Sequence, residues 1–169
     1  MHIRSPTNVS PARLKTSAEV QTLQDLPHHY SVAANADADG HVELTSPGLA
    51  SIESAAPAEF GGPGDRWSPE SLLVAAVADC FILTFKAIAR ASKLDWTSLA
   101  CEAEGILDRV DNVMQFTEFR LDVVLKAPVG TEEQKAIRLL EKAEHSCLIT
   151  NSLKSATNLD VDVRLSSHK

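Results

Sequence analysis

The segment Leu72–Ala91 limits what this chain can fold into more than any other part of it. Drawn as a helix, it carries small and apolar residues around nearly its whole circumference. A helix apolar all round has to be buried. Ser68-Pro69-Glu70 stands directly before it. Ser68 is a good N-cap, Pro69 suits the first helical position, and Glu70 complements the positive end of the helix dipole. The pattern predicts one helix from Pro69 to Ser92, about 36 Å long at 1.5 Å per residue. Asp79, Thr84 and Lys86 interrupt the apolar run, whereas a membrane span needs about 20 predominantly apolar residues. The segment therefore reads as a core helix, with no membrane partner.

The rest of the chain supplies what such a helix packs against. Residues 1–27 are polar, hold Pro6, Pro11 and Pro27, and read as an N-terminal extension with one short helix from Ala18 to Leu26. The domain proper is expected over 28–169. His28–Asn35 and His41–Thr45 read as strands around the turn Asp37-Ala38-Asp39-Gly40, and Ala50–Ala56 as a third strand. Phe60-Gly61-Gly62-Pro63-Gly64-Asp65 is a loop dense in helix and strand breakers. Beyond the helix, Trp96–Leu107 and Met114–Lys126 predict two long strands joined by a hairpin at Val110-Asp111-Asn112. Phe119, Leu121, Val123 and Leu125 alternate with polar residues, the period of a sheet with one wet face. A capping box of Thr131 and Gln134 predicts a helix from Glu132 to about His145, with Ala136, Ile137, Leu140 and Ala143 on one face. Asn151 or Ser152 would cap a further short turn. Leu159, Val161, Val163 and Leu165 predict a last strand. This order makes the fold α+β, with a mostly antiparallel sheet.

Charge and cysteine content narrow the function classes. The chain has 16 Lys plus Arg against 23 Asp plus Glu, a net charge of −7. An acidic balance argues against nucleic acid as a partner, because nucleic acid selects clustered positive charge. The three cysteines, Cys80, Cys101 and Cys147, are too few and odd in number for a secreted disulfide scaffold. Met1–Leu14 has no apolar run of secretory type, so a reducing, cytoplasmic location is expected. No nucleotide loop, paired Cys-x-x-Cys, His-Glu-x-x-His or Gly-x-Ser-x-Gly motif is present.

Free thiols are buried fillers or reactive groups. Position alone favours a filler at Cys80, inside the apolar helix, and at Cys101, inside a strand. It leaves Cys147, at a helix end, open. Cys80 lies too far from the helix start for the dipole to lower its pKa. Glu70 reads by default as a helix-start carboxylate, Arg66 as loop surface, and His145 as a helix-end residue.

Two stretches change that balance. Phe60-Gly61-Gly62 followed by Ser68-Pro69-Glu70-Ser71-Leu72-Leu73 and Ala78-Asp79-Cys80-Phe81 resembles the helix of the OsmC/Ohr family (osmotically inducible protein C and organic hydroperoxide resistance). There Pro-Glu-x-Leu precedes a small-residue stretch and Cys-Phe. Ala143-Glu144-His145-Ser146-Cys147-Leu148-Ile149-Thr150-Asn151-Ser152-Leu153 is similar to the family's Ala-x-x-x-Cys-Pro-x-Ser-x-x-Leu. The resemblance spans about residues 28–165.

It implies an OsmC-like fold and an intertwined homodimer with two active sites at the interface. It also implies a thiol peroxidase acting on organic hydroperoxides, and on hydrogen peroxide less well. Cys80 would be the peroxidatic thiol, passing through a sulfenic acid, and Cys147 the resolving one. An external dithiol, lipoyl-type in parts of the family, would reduce the disulfide, with no cofactor or metal. Glu70 matches the family's active-site glutamate. The arginine that the Ohr branch carries in its N-terminal hairpin is absent from Tyr30–Thr45, so Arg66 is the candidate to pair with Glu70. The usual proline after the second cysteine is Leu148. Glu70 and Cys80 are ten residues apart, about 15 Å on one straight helix. They can meet only across a dimer, or if the first turn breaks away. The rival reading is a non-catalytic OsmC-like dimer that binds a small apolar ligand or senses oxidants.

Overall fold

The capping signal before the long helix does what its residue types allow. In the computed structural model, which describes residues 25–167, helix α1 runs unbroken over Pro69–Ala91. The Ser71 N–H donates to the Ser68 hydroxyl at 3.1 Å, and the Ser68 N–H donates to the Ser71 hydroxyl at 2.8 Å. Such reciprocal bonds satisfy N–H groups that a helix start otherwise leaves orphaned. The first turn is continuous with the rest, which removes the reading in which it breaks away to bring Glu70 to Cys80.

The chain divides into two units, 1–31 and 32–169. In the first, residues 25–31 are exposed and form neither helix nor strand; the helix expected from Ala18 otherwise lies outside the described residues. The second unit holds two three-stranded sheets. The smaller has β1 Ala33–Ala36, β2 Val42–Thr45 and β3 Ile52–Ser54, all antiparallel. β1 starts five residues later than the His28 expected. The larger has β4 Ser98–Val110, β5 Val113–Pro128 and, after helix α2 Glu133–His145, β6 Ala156–Ser166. β4 and β5 are antiparallel, whereas β6 runs parallel to β5. α2 is the crossover that a parallel pairing requires. The fold is α+β, antiparallel in three of its four strand pairings among the described residues.

Asp111 and Asn112 turn the β4–β5 hairpin with φ of 50° and 65°, the conformation that fits a two-residue turn to strand twist. Thr117 is an extra residue in β5: Ile106 pairs with Glu118 and Leu107 with Phe116. Its hydroxyl donates to the Ile106 carbonyl at 3.2 Å. α2 departs from its expected cap. Thr131 N–H closes a turn onto Pro128 O at 3.1 Å, so the N-cap falls on Glu132 with no side-chain bond, and the Thr131–Gln134 box does not form. The short turn after α2 is a 3₁₀ turn, Thr150–Ser152, with Ile149 at its start and not Asn151 or Ser152.

The core lies between the helices and one face of the larger sheet. Phe119, Leu121, Val123 and Leu125 of β5 are buried as their alternation requires. Against them pack Ala136, Leu140 and Ala143 of α2, and Val77, Phe81, Phe85 and Ala89 of α1. The α1 residues recur every four positions, one stripe of the helix. Only that stripe of α1 is fully buried, with Leu73, Val74, Ile82 and Ile88 partly covered beside it; Leu83 is 54% exposed, although an 18-residue window of α1 has a mean hydropathy of 2.1. By length and composition alone α1 could cross a membrane, a test that core helices also pass. The outer face of the larger sheet is polar. Glu102, Asp122 and Asp160 stand abreast across its three strands, all exposed.

Candidate functional site

α1 and α2 pack against each other, and this packing joins two cysteines 67 positions apart in sequence. Cys80 sits mid-helix on α1, half-buried, with the Thr84 hydroxyl one turn further on at 4.0 Å from its sulfur. Cys147 follows the end of α2 and is 1% exposed. Its thiol and that of Cys80 lie close enough to influence each other's protonation.

The chain folds back around Cys147. Its N–H bonds Glu144 O at 3.0 Å, its carbonyl accepts Asn151 N–H at 3.0 Å, and the Thr150 hydroxyl donates to that same carbonyl at 3.1 Å. Ile149 N–H favours the charged form of both thiols, and the Thr150 N–H and hydroxyl favour that of Cys147.

These contacts split the two thiols. Burial, then the bond and charge of Cys147, push Cys80 above the ordinary thiol value, against weaker pulls from Ile149 N–H and Thr84. Burial also pushes Cys147 up. The Cys80 thiol, Thr150 and Ile149 together outweigh it, and Cys147 lies below the ordinary value. Hydrogen bonds to the charged form favour that form.

Cys101 stands apart. It pairs with Val123 across β4 and β5 and packs against the core. Burial, then the Asp122 carboxylate, push it up to about 11. A thiol whose folded pKa is raised favours folding below its unfolded pKa, and that stability is lost as pH rises through the folded one. Wild type should therefore lose about 2 kcal/mol more than Cys101→Ala between pH about 9 and about 11. Urea unfolding of both proteins across that range checks it; parallel pH profiles would refute it.

The other sequence candidates lie elsewhere within the chain. Arg66 binds Glu53 through Nε at 3.0 Å and Asp65 through a terminal nitrogen at 3.1 Å, and His41 shares Glu53 at 3.3 Å. Its ion pairs among the described residues thus do not include Glu70. Glu70 lies in the first turn of α1, and its buried Oε2 has no hydrogen-bond partner among the described residues. Burial of an unpartnered carboxylate oxygen is costly. His145 is exposed and bound to Glu144 at 2.7 Å. Thr84, Ile149 and Thr150 were not singled out from sequence. Only Thr84, four residues after Cys80 on one helix face, could have been found by spacing.

Residues 62–162 match the family model described as OsmC-like protein. Over 139 residues the chain is 30% identical to the uncharacterised protein YmaD of Bacillus subtilis (strain 168), covering 80% of this chain and 93% of that protein. Its fold superposes on an OsmC-like protein of unknown function from Vibrio cholerae with a TM-score of 0.73 at 19% identity, over 80% of this chain and all of the other. An organic hydroperoxide resistance protein OsmC from Legionella pneumophila matches at a TM-score of 0.60 and 27% identity, over 83% of this chain and 99% of that one. With the helix, the crossover and both cysteine segments inside the matched region, this chain belongs to the OsmC-like protein family as a divergent member.

Proposed function

We propose that this protein is a cysteine-based peroxidase that reduces organic hydroperoxides. The observation that carries the reading is that the packing of α1 on α2 brings the Cys80 and Cys147 thiols, from distant parts of the chain, close enough to influence each other's protonation. The Cys80 sulfur would attack the peroxide, releasing an alcohol and leaving a sulfenic acid. Cys147 would then displace water to form the disulfide. An external dithiol returns the pair to its reduced state by exchange, in the cytoplasm and with no metal or flavin. The hydroperoxide resistance named for the Legionella relative agrees with this chemistry.

The reading includes an intertwined homodimer. The uncovered sides of α1 need a cover, and the small sheet β1–β3 makes its strand pairings within itself. Glu70 cannot reach Cys80 along an unbroken helix, so its bare Oε2 would meet its partners from a second copy.

Cumene hydroperoxide added to the reduced protein, followed by mass-spectrometric mapping of cysteines, tests the reading. Rapid consumption with a Cys80–Cys147 disulfide and an unmodified Cys101 is expected. Slow, stoichiometric oxidation would replace it with the oxidant-sensing alternative, and absence of the disulfide would end both.

A further inference from the structure

Cys80 sits within an unbroken helix of 23 residues, whose hydrogen bonds fix its backbone on both sides. Cys147 lies between α2 and the 3₁₀ turn Thr150–Ser152 and belongs to neither. A disulfide needs its two Cα atoms about 4.4–6.8 Å apart. With Cys80 fixed, the backbone at Cys147 decides whether the pair can close.

Three consecutive side chains hold that backbone. The Thr150 hydroxyl donates to the Cys147 carbonyl at 3.1 Å, the Asn151 side-chain amide to the His145 carbonyl at 3.1 Å, and the Ser152 hydroxyl to the Leu148 carbonyl at 2.7 Å. The Asn151 N–H adds a bond to the Cys147 carbonyl at 3.0 Å. Asn151 thus ties the last residue of α2 to the cysteine two positions beyond it. Side chains that bond nearby carbonyls in this way hold a turn where helix hydrogen bonding stops. Thr150 is buried, and Ile149 and Leu153 pack against the core. The reversal is therefore anchored on its inner side by packing and closed on its outer side, at the exposed Asn151 and Ser152, by hydrogen bonds.

We propose that Thr150 and Asn151 are positioning residues for disulfide closure, holding the backbone at Cys147 so that its sulfur meets Cys80 before a second peroxide does. The proposal rests on the peroxidase reading and concerns its second step. The sulfenic acid left on Cys80 has two fates. In one, the Cys147 sulfur attacks it. The S–O bond breaks, the S–S bond forms, and the departing hydroxide leaves with the Cys147 proton as water. In the other, a second hydroperoxide passes one oxygen to the sulfenic sulfur, giving an alcohol and a sulfinic acid that a dithiol does not reduce. Closure is intramolecular, so its rate depends on how well the two sulfurs are placed beforehand. Neither Thr150 nor Asn151 takes part in the bond changes; both act through the backbone at Cys147. The clamp thus completes the cycle and protects Cys80 from loss.

Single-turnover oxidation with cumene hydroperoxide, quenched with dimedone and read by mass spectrometry, follows sulfenic acid, disulfide and sulfinic acid separately. Thr150→Val should slow disulfide formation on the order of tenfold and Asn151→Ala roughly threefold. Sulfenic acid formation should keep its wild-type rate in both, and Thr150→Ser should restore closure. At high peroxide both slow variants should collect sulfinic acid where wild type collects disulfide. Asn151 is exposed, so its variant keeps the test open should the buried Thr150→Val fail to fold. A lowered thermal transition with closure at the wild-type rate would reduce these bonds to a structural role and overturn the proposal. Equal slowing of both steps would overturn it too. The effective concentration of the thiol pair in glutathione redox buffers, with no peroxide present, should fall by the same factors. A wild type inert to peroxide would end the peroxidase reading. The glutathione measurement would then still decide the clamp, and an effective concentration unchanged in Thr150→Val and Asn151→Ala would refute it.

Discussion

Cys80→Ser is expected to lower the steady-state consumption of cumene hydroperoxide on the order of a thousandfold or more. An alcohol at this position has no accessible anion near neutral pH and is a poor nucleophile toward a peroxide oxygen. The fold around the site should not change. Serine nearly matches cysteine in size, Cys80 is half-buried on a continuous helix, and the stripe that carries the packing is Val77, Phe81, Phe85 and Ala89. The thermal transition should therefore stay within a few degrees of wild type. The measurement pairs peroxide consumption in the presence of a dithiol with a circular dichroism melt. Retention of a tenth of the wild-type rate by a folded Cys80→Ser would remove Cys80 from the mechanism. Cys101→Ala should consume peroxide as wild type does.

Gly62→Ala is expected to produce the largest structural loss, about 3 kcal/mol or more. A Cβ on Gly62 would lie 1.6 Å from the Ala56 carbonyl oxygen and 3.0 Å from that of Pro57. Both obstacles are backbone, and Gly62 N–H already bonds Pro57 O at 3.0 Å. The loop can make room only by opening, and it leads directly to the Ala55–Trp67 hydrogen bond and the Ser68 cap. Gly61 next to it is the control. It has φ of 79° but open space around its Cβ position, so Gly61→Ala should cost only about 1 kcal/mol of backbone strain. Thermal denaturation of the two variants separates them: Gly62→Ala should melt roughly 6–12 °C below wild type and Gly61→Ala a few degrees below. Equal losses would mean that close approach is not what selects glycine at position 62.

Much of this was readable before any coordinates because local rules governed it. The cap at Ser68, the alternation along β5 and the Asp111-Asn112 turn are each decided by residues within a few positions of one another. The direction of β6 was not readable. Its alternation is the same in a parallel or an antiparallel pairing, and only the crossover through α2 decides which forms. The α2 cap moved because the turn onto Pro128 took the Thr131 N–H. An apolar circumference on α1 says that the helix needs covering, not what covers it, and one chain fully buries only the Val77, Phe81, Phe85 and Ala89 stripe. At the site, the motifs marked both cysteines, and their nearness follows from α1 packing on α2. Thr150 stayed hidden because its role depends on how the chain reverses after Cys147. Arg66 was placed by nearness in sequence to the helix, whereas Glu53 lies across the loop and holds it.

The row of Glu102, Asp122 and Asp160 on the outer face of the larger sheet has a cost and a use. Like charges directly opposite one another weaken strand pairing, so the sheet is less stable for carrying them. Every copy of the chain, however, presents the same negative band, and two such faces repel as they approach. A second molecule is thereby disfavoured at that face. Charge on one side of the protein thus selects which side is free to associate, and it should do so less sharply as salt concentration rises.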